Sequence, residues 1–321
     1  MKTELRASSV DGTDSADSFR LARKESALQM RAVLIQNIRL YFIRQGFLEV
    51  DTPVRIPAPA PEEHIEAPSA GDWFLQTSPE ICMKRLLAAG YSRIFQISKC
   101  FRAGERGKMH LPEFSMLEWY VAGFDYRLLM DQCEDLLRTM AKESGFGDSI
   151  SRRDARIDLS SPWERISVAE AFAGYAPVTL ECALKQDRFE EILVEHIEPH
   201  LGRTKPSFLY DYPAELAALA KLKDEDSGVA ERFELYIGSL EIANGFSELT
   251  DAGQQRRRFL KAKELRAQKG CADYPLPEKF LAALPEMPPS AGIALGIDRL
   301  VMLFTGAATI DDVVFFPPET L

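Results

Sequence analysis

The sequence has few cysteines and spaces them far apart. Its 321 residues contain five, Cys82, Cys100, Cys133, Cys182 and Cys271, and no two form a C-x-x-C pair. That spacing argues against a disulfide framework and against a structural zinc site, since both need clustered thiols. No apolar run reaches the ~18 residues of a membrane helix, and the first residues lack the apolar segment of a secretory signal. We therefore expect a cytoplasmic protein without a membrane partner, its cysteines buried as small hydrophobic side chains.

Positive charge and several common catalytic motifs are also lacking. The formal net charge of −10 disfavours broad nucleic-acid binding. No G-x-x-x-x-G-K-[ST], G-x-G-x-x-G or G-x-S-x-G pattern occurs, so a phosphate loop, a dinucleotide fold and a hydrolase elbow have no support. His196 and His200 lie four residues apart, but Pro199 interrupts the helix that a zinc pair would need. What is present, 46% apolar and 27% charged residues, suffices for a full core.

The chain begins with a polar segment and then reads as structured. Residues 1–18 are rich in Ser and Asp, which predicts a disordered tail. A long helix is predicted from about residue 19 to a cap at Gly46, followed by a short strand over 47–53. Ser78 is predicted to cap a helix that runs through Leu87. Further helices are expected near 126–144, 167–173, 187–198, 213–223 and 250–269.

Residues 100–120 carry the strongest functional signal. Alternation on both sides of a charged loop predicts a hairpin. Period-2 geometry then places Phe114, Glu118 and Tyr120 on one face, with Arg102 at the end of the first strand. An aromatic ring, a guanidinium and carboxylates suit a nucleotide beside a cationic small molecule. The alternative is an ordinary amphipathic hairpin with a solvated turn.

Two buried acids are predicted farther along the chain. Residues 233–248 read as a strand with a turn at Asn244-Gly245, and Glu241 and Glu248 lie in apolar surroundings. Because a buried acid is costly without a cation, we expect both to face a ligand. The alternative is a pair of structural carboxylates, each bound to a local arginine.

The last strand-to-helix segment, GIALGIDRLVM, places Arg299 in the first turn of a helix. The helix dipole disfavours a cation there, and a bound phosphate would compensate. The alternative is that Arg299 pairs with Asp298 or Glu319. The basic run over 256–263 is predicted to be a solvated face, with docking of an acidic partner as the second interpretation.

Several of these segments together resemble a known family. FLEVDTP, FRAGE…HLPEFSMLEWY and GIALGIDRL are similar to motifs 1, 2 and 3 of class II aminoacyl-tRNA synthetases, and TSPE and EIANGFSELTD resemble the lysyl branch. The resemblance implies an α+β fold over residues 19–321, with a six-stranded antiparallel sheet flanked by helices. Motif 1 would span about 30–53, motif 2 about 94–121, a helical insertion about 150–225 and motif 3 about 292–304. Motif 1 in this family implies a homodimer.

The layout resembles one branch in particular. About 30 residues precede the motif-1 helix, too few for an OB-fold anticodon domain, and this is similar to the elongation factor P lysine ligase family. Ala294 also favours resemblance to this branch, because tRNA-charging lysyl enzymes usually have glycine at that position. The resemblance implies ATP-dependent activation of (R)-β-lysine or lysine and ligation to a lysine side chain of elongation factor P, with tRNA not expected as acceptor. The alternatives are a tRNA-charging enzyme and a non-catalytic regulatory subunit, and the presence of Arg102 and Arg299 argues against the latter.

The same resemblance implies a set of site residues. Arg102 and Arg299 would be catalytic, and Mg²⁺ would be held through ATP by Glu241 and Asn244. Residues expected to bind ATP are Arg102, Glu105, Phe114, Glu241, Ile242, Gly296 and Arg299. Residues expected to bind the amino-acid substrate are Ser78, Glu80, Glu118, Tyr120, Asn244, Glu248 and Ala294. Gly104 and Leu111 depart from the family pattern, where an acid and an asparagine are common.

Overall fold

The computed structural model describes residues 21–152 and 155–321, so the predicted disordered tail over 1–18 lies outside the described residues. Its strands are β1 (Leu48–Glu49), β2 (Arg55–Ile56), β3 (Ser69–Ala70), β4 (Trp73–Leu75), β5 (Arg93–Phe101), β6 (Glu113–Ala122), β7 (Ser149–Arg152), β8 (Ala155–Asp158), β9 (Glu164–Ser167), β10 (Ser207–Pro213), β11 (Val229–Tyr236), β12 (Glu241–Ser247) and β13 (Ser290–Gly296). Its α-helices are α1 (Glu25–Arg44), α2 (Glu80–Ala88), α3 (Tyr126–Glu143), α4 (Val168–Tyr175), α5 (Leu180–Lys185), α6 (Phe189–Ile192), α7 (Ala252–Gln268), α8 (Glu278–Ala283) and α9 (Ile297–Thr305).

A large central sheet organises the fold. Its strand order is β1-β5-β6-β13-β12-β11-β10-β9. The six inner strands pair antiparallel throughout, which confirms the expected architecture. The short outer strands β1 and β9 pair in parallel with β5 and β10 and extend the sheet to eight strands.

One face of the sheet is covered by α1, α3 and α9, and the main hydrophobic core lies between them. Phe42 of α1 stacks on Phe95 of β5, with ring centroids 4.7 Å apart. A buried ion pair crosses this core, because Arg31 of α1 lies 2.5 Å from Asp298 of α9. The other oxygen of Asp298 accepts the backbone N–H of Ser115 at 2.7 Å, so one carboxylate ties two helices to β6.

The opposite face carries polar side chains in register. A cross-sheet row, Gln96, Glu118, Ala294, Asn244 and Glu234, runs over the adjacent strands β5, β6, β13, β12 and β11. Helix α2 and the α7–α8 region pack beside this row in a smaller apolar cluster. Because side chains of one face alternate along each strand, this row gathers residues distant in sequence at one place.

The segment predicted as a single strand over 233–248 is a hairpin of β11 and β12. The Asn244-Gly245 turn is wrong, because both residues lie inside β12 and the chain reverses at Gly238 and Ser239, which have φ of +60° and +56°. Gly245 is needed for packing instead. A Cβ there would lie 2.7 Å from the ring of Phe233, so no side chain fits.

The region expected as a helical insertion over 150–225 also contains strands. It contributes β9 and β10 to the central sheet, and β7 and β8 form a separate two-stranded hairpin. No helix spans 213–223, where the described chain has one 3-10 turn at Ala214–Leu216. The predicted strand over 47–53 is shorter than expected, since only Leu48–Glu49 pairs. Pairing with neighbouring strands, rather than local helix preference, therefore determines the secondary structure of these segments.

The capped ends of the long helices agree with the sequence. Asp125 accepts the N–H groups of Arg127 and Leu128, and α3 begins at the next residue. Gly46 lies just past α1 with φ of +75°, the left-handed conformation that favours glycine at this position. Helix α2 begins after Pro79, and Ser78 still accepts the N–H of Glu80 at 3.0 Å.

Within residues 21–152 and 155–321, none of the helices is both long and apolar enough to cross a membrane.

Candidate active site

Arg102 and Phe114 form the first part of the site. Arg102 directly follows β5, and its guanidinium carbon lies 5.2 Å from the ring centroid of Phe114 on β6. Glu105, in the loop between the two strands, lies 3.7 Å from the same guanidinium. The Nε atom of Arg102 is buried and has no hydrogen-bond partner among the described residues. An arginine held over an aromatic ring with a donor unused is arranged to bind an anion.

Arg299 forms the second part. Its Nη1 donates to the carbonyl and to Oε2 of Glu241, each at 2.9 Å. The expected alternative pairing with Asp298 or Glu319 is wrong, because Asp298 binds Arg31 and Glu319 binds Arg106. Burial would raise the pKa of Glu241, but the charge and hydrogen bond of Arg299 outweigh it and hold that pKa below its usual range.

His110 completes this arginine cluster, which we define as Arg102, Glu105, His110, Phe114, Glu241 and Arg299. The Nη2 of Arg299 lies 2.6 Å from Nε2 of His110. Burial and the positive charge of Arg299 lower the pKa of His110. The imidazole is therefore neutral and accepts a hydrogen bond from the guanidinium through Nε2.

An acidic pocket lies on β6 and α2, made by Ser78, Glu80, Lys84, Glu118, Tyr120 and Glu248. Glu118 is 1% exposed, and its two oxygens accept from Ser78 at 2.7 Å and from Tyr120 at 2.8 Å. The predicted same-face placement of Glu118 and Tyr120 is therefore confirmed. Burial and the charge of Glu80 raise the pKa of Glu118 to about 7, although the bonds from Ser78 and Tyr120 lower it in part.

A buried lysine closes the pocket. Lys84 pairs with Glu80 one helical turn away at 2.5 Å and with Glu248 at the end of β12. Burial raises the pKa of Glu248 to about 8 despite the opposing effect of Lys84. Its Oε1 has no hydrogen-bond partner among the described residues and faces Tyr120 and Gly292. A Cβ on Gly292 would lie 2.2 Å from Tyr120 and 2.5 Å from Glu248, so glycine is needed here for these two side chains to pack against the strand.

The other predicted site residues lie between these two groups or under them. Ala294 pairs in register with Glu118 and Asn244, and Asn244 Oδ1 accepts from Arg232 at 3.4 Å. Gly296 ends β13 just before Arg299. The side chain of Ile242 belongs to the main core, which leaves its backbone for any ligand. Leu111 is likewise buried in that core, and Gly104 has φ of +79°, which favours glycine in the loop.

Several site residues were not predicted. Glu234 is buried on β11 beside Asn244 and is held by Arg232 and Tyr236 at 2.7 Å each. Burial raises the pKa of Glu234, and the nearby charge of Glu241 adds to that effect. Glu62 lies near Arg102, and burial raises its pKa to about 7. The RFEL stretch before the EIANG segment was a usable signal for Glu234, since alternation places Arg232 and Glu234 on one face.

The basic run of α7 is largely occupied within the protein. Arg256 pairs with Glu278, and Arg258 donates to the carbonyls of Ala218 and Ala220 at 2.7 Å each. Lys263 pairs with Asp273 at 2.8 Å. Two of the five basic side chains over 256–263 therefore pair with acids and a third is engaged by backbone carbonyls, which weakens the interpretation of this run as a docking face.

Among residues 21–152 and 155–321, no group of three or more His, Cys, Asp or Glu side chains is placed to hold a metal ion by itself. The cysteines are free thiols; burial is confirmed for Cys100 and Cys133, but the prediction is wrong for Cys82, Cys182 and Cys271, which are partly exposed.

Comparison with known proteins agrees with this geometry. The family of class II tRNA synthetases (D, K and N) matches residues 15–320. A Proteus mirabilis protein named elongation factor P--(R)-beta-lysine ligase is 40% identical over 90% of this chain and 94% of its own length. Proteins of the same name from Hamiltonella defensa and Vibrio vulnificus are 41% and 39% identical, over 92% and 90% of this chain and 95% of each relative. The chain therefore belongs to the class II tRNA synthetase family, within the branch of the elongation factor P--(R)-beta-lysine ligases.

Proposed function

We propose that this protein activates (R)-β-lysine or lysine with ATP and joins it to a lysine side chain of elongation factor P. The observation that carries the proposal is the acidic pocket beside the arginine cluster on one sheet face. Glu80, Glu118 and Glu248 supply carboxylates for a substrate with two ammonium groups, whereas Arg102 and Arg299 supply positive charge for phosphates. A diamino acid and ATP need this combination.

The first step is adenylate formation. A carboxylate oxygen of the amino acid attacks the α-phosphorus of ATP, the bond to pyrophosphate breaks, and an acyl-adenylate forms. Such a step depends mainly on alignment and charge neutralisation. In this assignment Arg102 binds the α-phosphate, Arg299 binds the γ-phosphate, and Phe114 stacks on adenine, with Glu105, Ile242 and Gly296 beside the nucleotide.

The residues near Glu241 fit a magnesium ion that enters with ATP. Carboxylate and amide oxygens are the ligands Mg²⁺ prefers, and Glu241 and Asn244 supply them next to Glu234. Although Arg232 and Arg299 each pair with one of these acids, burial and the charge of Glu241 still raise the pKa of Glu234, so a further cation here would be favourable. When bound, the metal neutralises charge that develops on the phosphates.

The acidic pocket selects the amino acid. In this assignment Glu248 and Tyr120 bind one ammonium group, while Ser78, Glu80 and Glu118 lie near the other. Asn244 and Ala294 lie between the pocket and the nucleotide. An uncharged analogue would leave buried carboxylates unpaired, which costs binding free energy.

The second step transfers the acyl group. The neutral amine of the acceptor lysine attacks the activated carbonyl, an amide bond forms, and AMP leaves with the electron pair of the broken bond. The surplus proton passes to solvent. The relatives' name supports a protein acceptor, and charging of tRNA is the alternative outcome to be tested.

We also propose that the protein is a homodimer through α1. Val33, Leu40 and Ile43 are 40%, 44% and 58% exposed and follow one face of this helix. Leu48, on the edge strand β1, is 50% exposed beside them. An apolar stripe that continues onto an unpaired sheet edge suits a second copy of this chain. Sedimentation should show a dimer, and Leu40→Glu should convert it to a monomer. A wild-type monomer at micromolar concentration would contradict the proposal.

The function is tested by pyrophosphate exchange with (R)-β-lysine, lysine and norleucine. We expect exchange with the diamino acids and none with norleucine, which lacks the side-chain amine. Exchange that is equal for norleucine would overturn the assignment of the acidic pocket. Exchange with lysine alone, followed by accumulation of charged tRNA, would instead indicate a tRNA-charging enzyme.

A further inference from the structure

One cation in the acidic pocket belongs to the protein itself. Lys84 is 2% exposed, and its ammonium pairs with Glu80 and with Glu248. Its Nζ also lies 4.9 Å from the ring centroid of Phe246. This lysine therefore sits between carboxylates that the substrate would use, although no substrate role was expected for it.

The charges around Lys84 do not balance. With all groups ionised, the carboxylates of Glu80, Glu118 and Glu248 carry three negative charges and Lys84 carries one positive charge, which leaves two negative charges. A substrate with two ammonium groups would neutralise that remainder. Tyr120 adds no charge, because burial and the charge of Glu118 raise its pKa well above its usual value.

We propose that Lys84 is a positioning residue that favours the ionised form of Glu248 and fixes the orientation of its carboxylate, so that, once the three acids are ionised, the pocket is neutral only with two ammonium groups bound. This inference rests on the proposed function. The ammonium of Lys84 forms an ion pair with Oε2 of Glu248, and Oε1 lies on the side of Gly292 and Tyr120. The ion pair therefore fixes how the carboxylate is turned in the pocket.

The charged neighbours of Glu248 support this role. Glu80 and Lys84 face it from α2, and Glu118 and Tyr120 face it from β6. Burial and the two acids raise the pKa of Glu248, and Lys84 is the group that opposes them. Burial alone would lower the pKa of Lys84, but Glu248 and Glu80 together raise it, so the lysine remains an ammonium.

The test is the variant Lys84→Met, with the KM for lysine and (R)-β-lysine measured from pH 6 to 9. Without Lys84, Glu248 should hold its proton to higher pH. We expect the KM at pH 7 to rise about tenfold or more, the difference from wild type to shrink toward pH 9, and the KM for ATP to stay unchanged. Discrimination against norleucine should fall at pH 7.

The matched control is Lys185→Met. Lys185 forms the same i,i+4 pair with Glu181, at 2.6 Å, but on the surface of α5. Lys185→Met should leave the KM values for lysine, (R)-β-lysine and ATP unchanged at every pH. A KM for Lys84→Met that is raised equally at all pH values, or not raised, would overturn the proposal.

Thermal melting from pH 5 to 9 tests whether Lys84→Met is poorly folded and whether any loss of stability depends on charge. If Lys84 neutralises buried acids, Lys84→Met should melt close to wild type at pH 5, where the carboxyl groups are protonated, and lower at pH 9. Failure to fold even at pH 5 would mean that the lysine acts through packing, and the proposal would be wrong. Because melting needs no turnover, this result is separate from a failure of wild type to activate diamino acids.

Discussion

The arginine cluster and the acidic pocket lie on one sheet face but balance their charges differently. In the arginine cluster each guanidinium already has an acidic neighbour, since Arg299 binds Glu241 at 2.9 Å and Arg102 lies 3.7 Å from Glu105. In the acidic pocket there are three carboxylates and one ammonium, which pairs with Glu80 and Glu248 while Glu118 accepts from hydroxyl groups. The first site is therefore set in position before a ligand arrives, whereas the second needs the ligand's charge to be complete.

This difference has a chemical consequence. Phosphate binding should depend on geometry and vary little between pH 6 and 9, because arginine does not titrate there. Binding of the amino acid should depend on protons, because the acidic pocket holds groups whose pKa values are raised into this range.

Arg102→Ala should abolish most of the activity. The variant loses the guanidinium assigned to the α-phosphate, so pyrophosphate exchange should fall roughly 10²- to 10³-fold. The KM for lysine should change little, since the acidic pocket is untouched. Arg188→Ala is the control, because Arg188 pairs with Glu191 on the protein surface, at the start of α6. An exchange rate equal to wild type would remove Arg102 from the reaction.

Glu248→Gln should weaken the binding of the amino acid but leave the binding of ATP unchanged. The substitution keeps the shape and removes the negative charge, so the substrate ammonium and Lys84 both lose a charged partner. We expect the KM for lysine to rise roughly 10- to 100-fold, which corresponds to about 1–3 kcal/mol.

Exchange measured over a range of both substrates checks this split. Glu181→Gln, in the exposed pair on α5, is the matched control. An equal rise of both KM values would indicate general damage rather than loss of an ammonium contact.

The pH dependence of wild type should differ between the two substrates. A protonated carboxyl cannot pair with an ammonium, and burial raises the pKa values of Glu118 and Glu248 to about 7 and about 8. The KM for lysine should therefore fall about tenfold as pH rises from 6 to 8.5, while the KM for ATP stays nearly constant. Calorimetry at pH 7 in two buffers should detect protons released when lysine binds.

The stability of the ligand-free protein should change with pH in the opposite direction. Lysine binding should strengthen as pH rises, whereas the free energy of unfolding should decrease. A carboxyl whose pKa is raised on folding stabilises the fold fully below its unfolded pKa, and that contribution is lost as pH rises through the folded value. The acidic pocket should therefore lower the melting temperature above about pH 7, and added lysine should restore it. A melting temperature that rises with pH beyond 8 in wild type but not in Glu248→Gln would contradict this account.

Ala294→Gly should have the smallest effect. Ala294 lies in register between Glu118 and Asn244, so its methyl group is part of the floor between the two regions. Removing one methyl changes binding by about 0.8 kcal/mol, so the ratio of KM values for lysine and (R)-β-lysine should shift only a few-fold. The ratio of the two exchange rates checks this. No change in the ratio would place the substrate away from Ala294.

In both regions the sequence predicts the residues that one hairpin brings together better than the contacts made between distant segments, for a physical reason. Period-2 alternation places Phe114, Glu118 and Tyr120 on one face, and Arg102 follows the same hairpin, so local spacing was sufficient. The partner of Arg299 was not predictable, because Glu241 reaches it only through pairing of β12 with β13. Lys84 was missed because Glu80 and Lys84 look like an ordinary surface pair on a helix. Only burial and the contact with Glu248 show its role.

The fold shows the same contrast between local and distant signals. Periodicity predicted the hairpin of β5 and β6 and the helix α3, whereas the six-stranded antiparallel sheet was expected from the family resemblance. Gly245 suggested a turn, yet the Phe233 ring explains that glycine inside a strand. The region over 213–223 has apolar spacing typical of a helix, but its neighbours in the sheet leave it as a 3-10 turn and irregular chain. Contacts between distant segments, which spacing does not encode, decided both cases.

The most direct measurement is the intact mass of elongation factor P after incubation with the protein, ATP and (R)-β-lysine. Modification of the factor requires the arginine cluster to bind ATP and the acidic pocket to bind (R)-β-lysine in the same reaction. The account predicts a mass gain of one lysyl unit on the factor, lost with Arg102→Ala and reduced with Glu248→Gln. Adenylate formation with an unmodified factor and charged tRNA would contradict it.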